Sequence, residues 1–268
     1  MAPALRRILR HRQSLCRTCD RLLPGSVMRV SVVIITKNQR SSLERSLPCI
    51  AAQEKVAYKP EIIVVDSGST DGARAFAVQQ GARLICLEPQ EFGFARAHNA
   101  GASVATGDIV VRLSGDAVPA HPDWLSRLIK PFQDDQVACT WGSQSLPSPG
   151  RYSAWERLVQ WFLYRNRERA TARRVTGRAV TVLGGNMAVR RALWQEHPYD
   201  ERLPQAEDYA WAHYWLRTGR RAGVYVPGAV VLHGHEEPLL QGIRRSLLQS
   251  TLQGCILAGV IEIGRAHV

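Results

Sequence analysis

The 268-residue chain contains cysteine but no cysteine framework. Its six cysteines, at positions 16, 19, 49, 86, 139 and 255, show no regular spacing, which argues against a disulfide-stapled secreted fold. Cys16-Arg-Thr-Cys19 is a lone CxxC, without a second pair or a histidine at zinc-ligand spacing. Cys49, Cys86 and Cys139 stand in apolar company and are expected as small core residues, in a reducing setting.

Lysine is scarce as well, and arginine carries almost all of the +12 net charge. Residues 1–27 hold +5 of it but no apolar run, so they lack the core of a secretory signal. They are read as a basic arm, either disordered or a translated leader ahead of Met28. The last six residues, IGRAHV (263–268), resemble a translated sequencing adapter, so the natural carboxyl end is expected to be missing. Setting aside the arm and Arg265 leaves +6 on the body. No recognition motif or aromatic-interleaved basic stripe accompanies that charge, and nucleic acid is not an expected partner. A glycine-rich turn after the first strand is absent too. TKNQRSS stands there, which sets aside a nucleotidyltransferase.

What remains is a body of ordinary globular composition, 45% hydrophobic and 22% charged, long enough for one α/β domain. VSVVIIT (30–36), EIIVV (61–65), ARLICL (82–87) and DIVVRL (108–113) read as buried strands. Ser41 and Glu44 in SSLE resemble a capping box opening a helix to about Gln53, and a second helix is expected over 93–105. The alternation predicts a mostly parallel, Rossmann-like sheet with right-handed crossovers. Ligands bind beyond the carboxyl ends of such strands, where Thr36, Asp66 and the Ser114-Gly115-Asp116 turn fall. Asp66 at a strand end suggests a ligand contact. Ser69, Thr70 and Asp71 serve equally as caps for the next helix.

Five ordered stretches carry a resemblance: VSVVIITKN, EIIVVDSGSTDG, ARAHNAGASVATGDIVVRLSGDAVP, LGGNMAVRR and AEDYAWAHYWLRTGRRAGVYVPGAVVLHGH. Together they resemble the family 2 inverting glycosyltransferases of the GT-A fold, over about residues 30–235. LSGDAVPAHPDWL is most similar to the bacterial rhamnosyltransferase-like branch, where one aspartate replaces the usual DxD pair.

The resemblance implies a nucleotide-sugar donor, a glycan or lipid-linked acceptor, and a divalent metal, Mn or Mg. Asp116 matches the metal-binding aspartate, Ser114 replaces the first acid of DxD, and His233 matches a late metal-shell histidine, with His235 a weaker candidate. Hard cations of this kind favour carboxylate oxygen and stabilise a diphosphate leaving group. Thr36, Asn38, Asp66 and Ser67 match the wall of the base and ribose pocket. Arg96 and Asn99 match contacts to donor phosphates, with a plain surface arginine the alternative for Arg96. Gly184, Gly185 and Asn186 match the acceptor segment. Asp208 matches the base that deprotonates the acceptor hydroxyl, with Glu207 beside it, and a helix cap is its other reading. Such an enzyme is expected in the cytoplasm, or peripherally at the inner face of the plasma membrane, building a surface polysaccharide or its lipid-linked precursor. The alternative is a catalytically weak nucleotide-sugar-binding relative, suggested by the missing first acid.

Two stretches lie outside these motifs. In 151–178, Trp155, Leu158, Val159 and Phe162 follow helical spacing, and six arginines come after, between 165 and 178. A core-facing helix with a solvated tail, a phosphate-gripping lid and a membrane contact all fit this pattern. Leu240, Ile243, Leu247 and Ile256 form a second stripe in 239–257. By this reading, 28–237 form the GT-A domain and 238–262 an amphipathic C-terminal helix.

Overall fold

A computed structural model describes residues 28–164, 171–177, 182 and 184–258. The strands are β1 (Val30–Thr36), β2 (Glu61–Asp66), β3 (Arg83–Cys86), β4 (Ile109–Ser114), β5 (Val118–Pro119), β6 (Val137–Ser145), β7 (Arg173–Val175), β8 (Asn186–Arg190) and β9 (Ala222–Leu232). The helices are α1 (Arg40–Ala51), α2 (Ala73–Gln79), α3 (Phe94–Val104), α4 (Trp124–Ile129), α5 (Ala154–Tyr164), α6 (Arg191–Glu196), α7 (Glu207–Leu216) and α8 (Leu239–Leu257). The expected arm, residues 1–27, and the expected adapter tail lie outside the described residues.

The strands join in one sheet, ordered β3-β2-β1-β4-β8-β6-β9-β5, with β7 pairing β9. β1 to β4, as expected, are parallel neighbours linked by crossover helices. The second half is mixed: β8 runs antiparallel between β4 and β6, and β5 and β7 run antiparallel to β9.

β1 explains why its sequence shows no polar alternation. Val32 and Ile34 pack on one face with Leu43, Leu47 and Ile50 of α1, while Val33 packs on the other with Ala97 of α3. α3 lies close against that second face because Gly101 allows it. A Cβ there would stand 2.3 Å from Val33 Cγ1, so alanine would push the helix off the sheet.

Several local expectations are corrected. α1 begins at Arg40 without a side-chain cap, so Ser41 and Glu44 form no capping box. Instead the Arg40 N–H donates to Asp71 Oδ2 (2.8 Å) and the Arg40 side chain binds Glu44 (2.9 Å). Asp71 also accepts the Ala73 N–H (3.0 Å), tying the starts of α1 and α2 together. Cys139 is buried as expected, but Cys49 and Cys86 are exposed. The stripes on α5 and α8 divide between inside and outside. Leu158 and Phe162, and Leu240 and Leu247, are exposed, whereas Glu156, Tyr164 and Ile256 are buried. The two helices bind each other through Trp155 Nε1 and Ser246 Oγ (3.1 Å) and through Arg245 and Glu156 (3.1 Å).

Candidate active site

The parallel register sets Thr36 beside Asp66 and Ile35 beside Ser114, aligning three strand ends at one edge. There the backbone of β1 and the loop after β2 interlock. Thr36 O accepts both the N–H and the hydroxyl of Ser67 (3.1 and 3.3 Å). Asn38, at φ 53°, donates its N–H to Ser69 Oγ and accepts the Thr70 N–H at Oδ1, both at 2.8 Å. Asparagine tolerates that left-handed conformation better than most residues. Asp66 is fully buried. Its Oδ1 accepts the N–H groups of Gly68 and Ser69 (3.0 Å each) and Arg74 Nε (2.5 Å). Burial alone would raise its pKa, but the bonds from Ser69, Arg74 and Gly68 outweigh burial and hold it below the ordinary value. Asp66 Oδ2 is buried with no partner among the described residues.

Beyond this edge opens a cavity of about 240 Å³, lined by Ser114, Gly184, Gly185, Glu207, Asp208 and His233 among others. These six expected residues, far apart in sequence, are thus brought together. Asp208 sits in the first turn of α7, one residue past Glu207, so it is not the helix cap. That position belongs to Ala206 at φ 64°. Asp208 Oδ1 accepts the Tyr209 N–H (2.8 Å). Its Oδ2 lies against Gly184, where a Cβ would stand 2.2 Å away. A Cβ on the next residue, Gly185, would meet Ser114 Oγ at 3.0 Å and His233 Cε1 at 3.8 Å. Gly184 thus abuts Asp208 with no room for a Cβ, and Gly185 abuts the His233 side of the same cavity with little.

Glu207 and Asp208 have separate surroundings. Glu207 Oε1 meets Arg112 Nη2 at 2.5 Å with both side chains buried. Arg112 also donates Nε to Gly184 O (3.1 Å) and lies 4.8 Å from the Tyr199 ring centroid. Burial pushes the Asp208 carboxyl above its ordinary value, and the charge of Glu207 pushes it further. Arg112 and the N–H groups of Tyr209 and Gly184 only partly oppose them. Its environment thus favours Asp208 as a proton acceptor, while Glu207 is committed to an ion pair.

On the other side, Asp116, His233 and His235 bring one ligand atom each within 4.8 Å of one another. The His233 Nδ1 lies 3.0 Å from Gln144 Oε1, a partner that can only accept, so that nitrogen carries the proton. Its Nε2 is buried 3.2 Å from Asp116 Oδ1. An imidazole anchored through one ring nitrogen, with its other nitrogen close to further ligand atoms, is how a metal-ligating histidine is held. The donor set fits a divalent cation, and His235 is a fuller member of it than sequence suggested.

Thr36, Asn38, Asp66, Ser67 and Asp116 stand outside the lining of this cavity, and three further expected contacts, Asn99, Arg96 and Asn186, are engaged elsewhere. Asn99 Oδ1 accepts Trp194 Nε1 and the Tyr199 N–H, and its amide donates to Tyr199 O and Glu201 (2.9–3.1 Å). Arg96 pairs with Glu201 at 3.1 Å on the surface. Asn186 is fully buried; it donates to Ser143 O and Ala229 O and accepts Trp124 Nε1. All three brace the scaffold. Reasoning from sequence missed Arg112, Gln144 and Glu156. An arginine inside the apolar strand DIVVRL was the one available signal.

Residues 31–197 match the family profile described as Glycosyl transferase family 2. The chain belongs to that family. It is 29% identical over 187 residues to the glycosyltransferase AglE of Haloferax volcanii, covering 68% of this chain and 59% of that protein. It is 25% identical over 215 residues to the O-antigen chain rhamnosyltransferase RfbN of Salmonella typhimurium, covering 78% and 67%. The chain thus spans roughly three fifths to two thirds of these relatives. Among solved structures, the mannosyltransferase PcManGT of Pyrobaculum calidifontis, in complex with GDP-Man and Mn2+, aligns at TM-score 0.64 and 24% identity, covering 98% of this chain and 73% of that one. The Mycobacterium tuberculosis glucosyl-3-phosphoglycerate synthase, in complex with Mn2+, UDP and glucosyl-3-phosphoglycerate, aligns at TM-score 0.59 and 21% identity, covering 87% of this chain and 82% of that one. These likenesses establish the GT-A fold for this family 2 member. Among the described residues, no helix is long and apolar enough to cross a membrane.

Proposed function

We propose that the chain is an inverting glycosyltransferase that moves a sugar from a nucleoside-diphosphate donor to an acceptor hydroxyl. The observation that carries this is that one cavity brings together Asp208, a base of raised pKa beside Gly184, and two members of the cation-ligand cluster, His233 beside Gly185 and His235. Asp208 takes the acceptor proton as that oxygen bonds to the anomeric carbon, and the carbon–oxygen bond to the diphosphate breaks on the opposite face. One carboxylate suffices, because no covalent sugar–protein intermediate forms. Arg112 keeps Glu207 paired and Gly184 in place, so that Asp208 faces the acceptor. Asp116, His233 and His235 would hold a divalent cation, Mn or Mg, which when bound supplies positive charge for the leaving diphosphate.

The donor base and ribose take the edge built by Thr36, Asn38, Asp66 and Ser67. Asp66 Oδ2, buried without a partner, is the acceptor left for a donor N–H or hydroxyl once the half-exposed Arg74 moves aside. The acceptor, a glycan or a lipid-linked glycan, enters beside Gly184 and Gly185, and cytoplasmic synthesis of a cell-envelope polysaccharide is the setting the reading favours. A thermal-shift panel of nucleoside diphosphates, with and without Mn2+ or Mg2+, tests the reading, because a ligand bound only by the native state raises Tm. A shift that needs metal and prefers one nucleotide supports it. No shift with any nucleotide refutes it. Anomeric configuration in the product, read by NMR, then tests inversion.

A further inference from the structure

The helices α5 and α8 have inner faces with a clear task. Val159, Gln160 and Tyr164 of α5 and Arg245, Ser246 and Gln249 of α8 line the cavity. Their outer faces do the reverse of what a soluble surface does. On α5, Leu158 is 54% exposed and Phe162 68%. On α8, Leu240 is 78% exposed, Leu247 63% and Leu248 45%. Helical spacing puts Arg157 on the face of Trp161, itself 55% exposed, and Arg244 on the face of Leu240 and Leu247. Both arginines are exposed. Neither outer face carries an acidic side chain, since Glu156 of α5 is buried and α8 has no acid.

We infer that the paired outer faces of α5 and α8 form a docking surface for an anionic lipid bilayer. Large apolar side chains with arginine among them, on helices lying side by side, match the two chemistries of an interface: hydrocarbon for Phe162 and the leucines, lipid phosphate for the arginines. The sequence leaving α5 continues the sign, with six arginines between 165 and 178. A second copy of the chain fits this surface less well. A two-fold interface would set Arg157 and Arg244 against the same pair, burying like charges with no acid to meet them. Docking by these faces would put the cavity wall about one helix diameter, ~10 Å, from the lipid surface. A lipid-borne acceptor could reach it without leaving the membrane. That last consequence rests on the transferase reading; the docking does not.

The test is flotation of the full chain with vesicles of phosphatidylcholine alone and vesicles also containing phosphatidylglycerol. Binding is expected only to the second, weakened by salt. The pair Phe162→Ser and Leu240→Ser should abolish it, and the pair Arg157→Glu and Arg244→Glu should weaken it roughly tenfold or more. Val78→Ser, at an exposed apolar side chain on α2, should leave it unchanged. All these side chains are exposed, so an unchanged Tm separates lost docking from lost folding, and a retained nucleotide-induced shift keeps this result apart from the transferase reading. Three outcomes overturn the inference. The first is no binding to either vesicle, and the second is binding that survives both pairs of substitutions. The third is lipid-free dimerisation that the apolar pair abolishes.

Discussion

Arg112 Nη2 and Glu207 Oε1 meet at 2.5 Å inside the protein, on β4 and α7, immediately beside the carboxylate of Asp208. Removing one partner strands the other charge in a buried site, which typically costs about 3–5 kcal/mol. Arg112→Met and Glu207→Gln are each expected to destabilise by that order, and the double variant by much less than their sum. Denaturant unfolding of the four proteins reads the coupling directly.

Asp208 gives a pH prediction with a definite sign. Its folded pKa lies above the ordinary 3.8, so the contribution of its protonated form is complete below pH 3.8 and is lost as pH rises through the folded value. Asp208→Asn should therefore gain stability over the unsubstituted chain across that window and none below it. Turnover should run the opposite way, falling as acid protonates the base. Glu207→Gln removes a like charge and frees Arg112 to face Asp208, so the acid limb of kcat should move to lower pH.

Gly184→Ala tests the close approach of that backbone to the base. Its Cβ would stand 2.2 Å from Asp208 Oδ2, so the base must move. Misplacing a reacting group by about 1 Å can cost ~10²-fold in rate. The expected result is a loss of kcat of that order with the nucleotide-induced thermal shift retained.

Gln144 meets His233 Nδ1 and is not one of the three residues that would hold a cation. Losing such a partner commonly lowers metal affinity about 10–100-fold. Gln144→Ala should raise the Mn2+ concentration needed for nucleotide binding by that factor, as read by calorimetric titration. His233→Ala should abolish metal-dependent binding.

Asn186, expected in the acceptor site, is a strut between β8, β6, β9 and α4. Truncation leaves three buried polar groups unmatched, each worth about 1–3 kcal/mol. Asn186→Ala should therefore cost ~3 kcal/mol or more in unfolding experiments. Any fall in activity should follow the folded fraction.

The parallel half of the sheet could be read from sequence because β1, β2 and β4 are buried on both faces, and an unbroken β-branched run has few other uses. Asp208, His233 and the Ser114 turn could be placed because the ordered motifs carry their relative positions. Partners supplied across the fold could not. Asn186 follows two glycines that do line the cavity, and nothing local distinguishes a cavity residue from one rotated into the core by the next strand. Arg74 closes over Asp66 from the following helix, and Gln144 reaches His233 across 89 residues. The stripes on α5 and α8 have helical periodicity, but periodicity says only that one face is apolar. Whether that face meets the core or the outside depends on Glu156 and Arg245, which turn it outward by taking the inside.

The central claim is that the base and the cation cluster act on one donor in one cavity, with separable duties. Calorimetric titration of the preferred nucleoside diphosphate into the unsubstituted chain, Asp208→Asn and His233→Ala, each with and without Mn2+, tests it most directly. The account predicts metal-dependent binding in the first two, turnover in the first alone, and no metal-dependent binding in the third. Metal-dependent binding that survives in His233→Ala, or full turnover by Asp208→Asn, would contradict it.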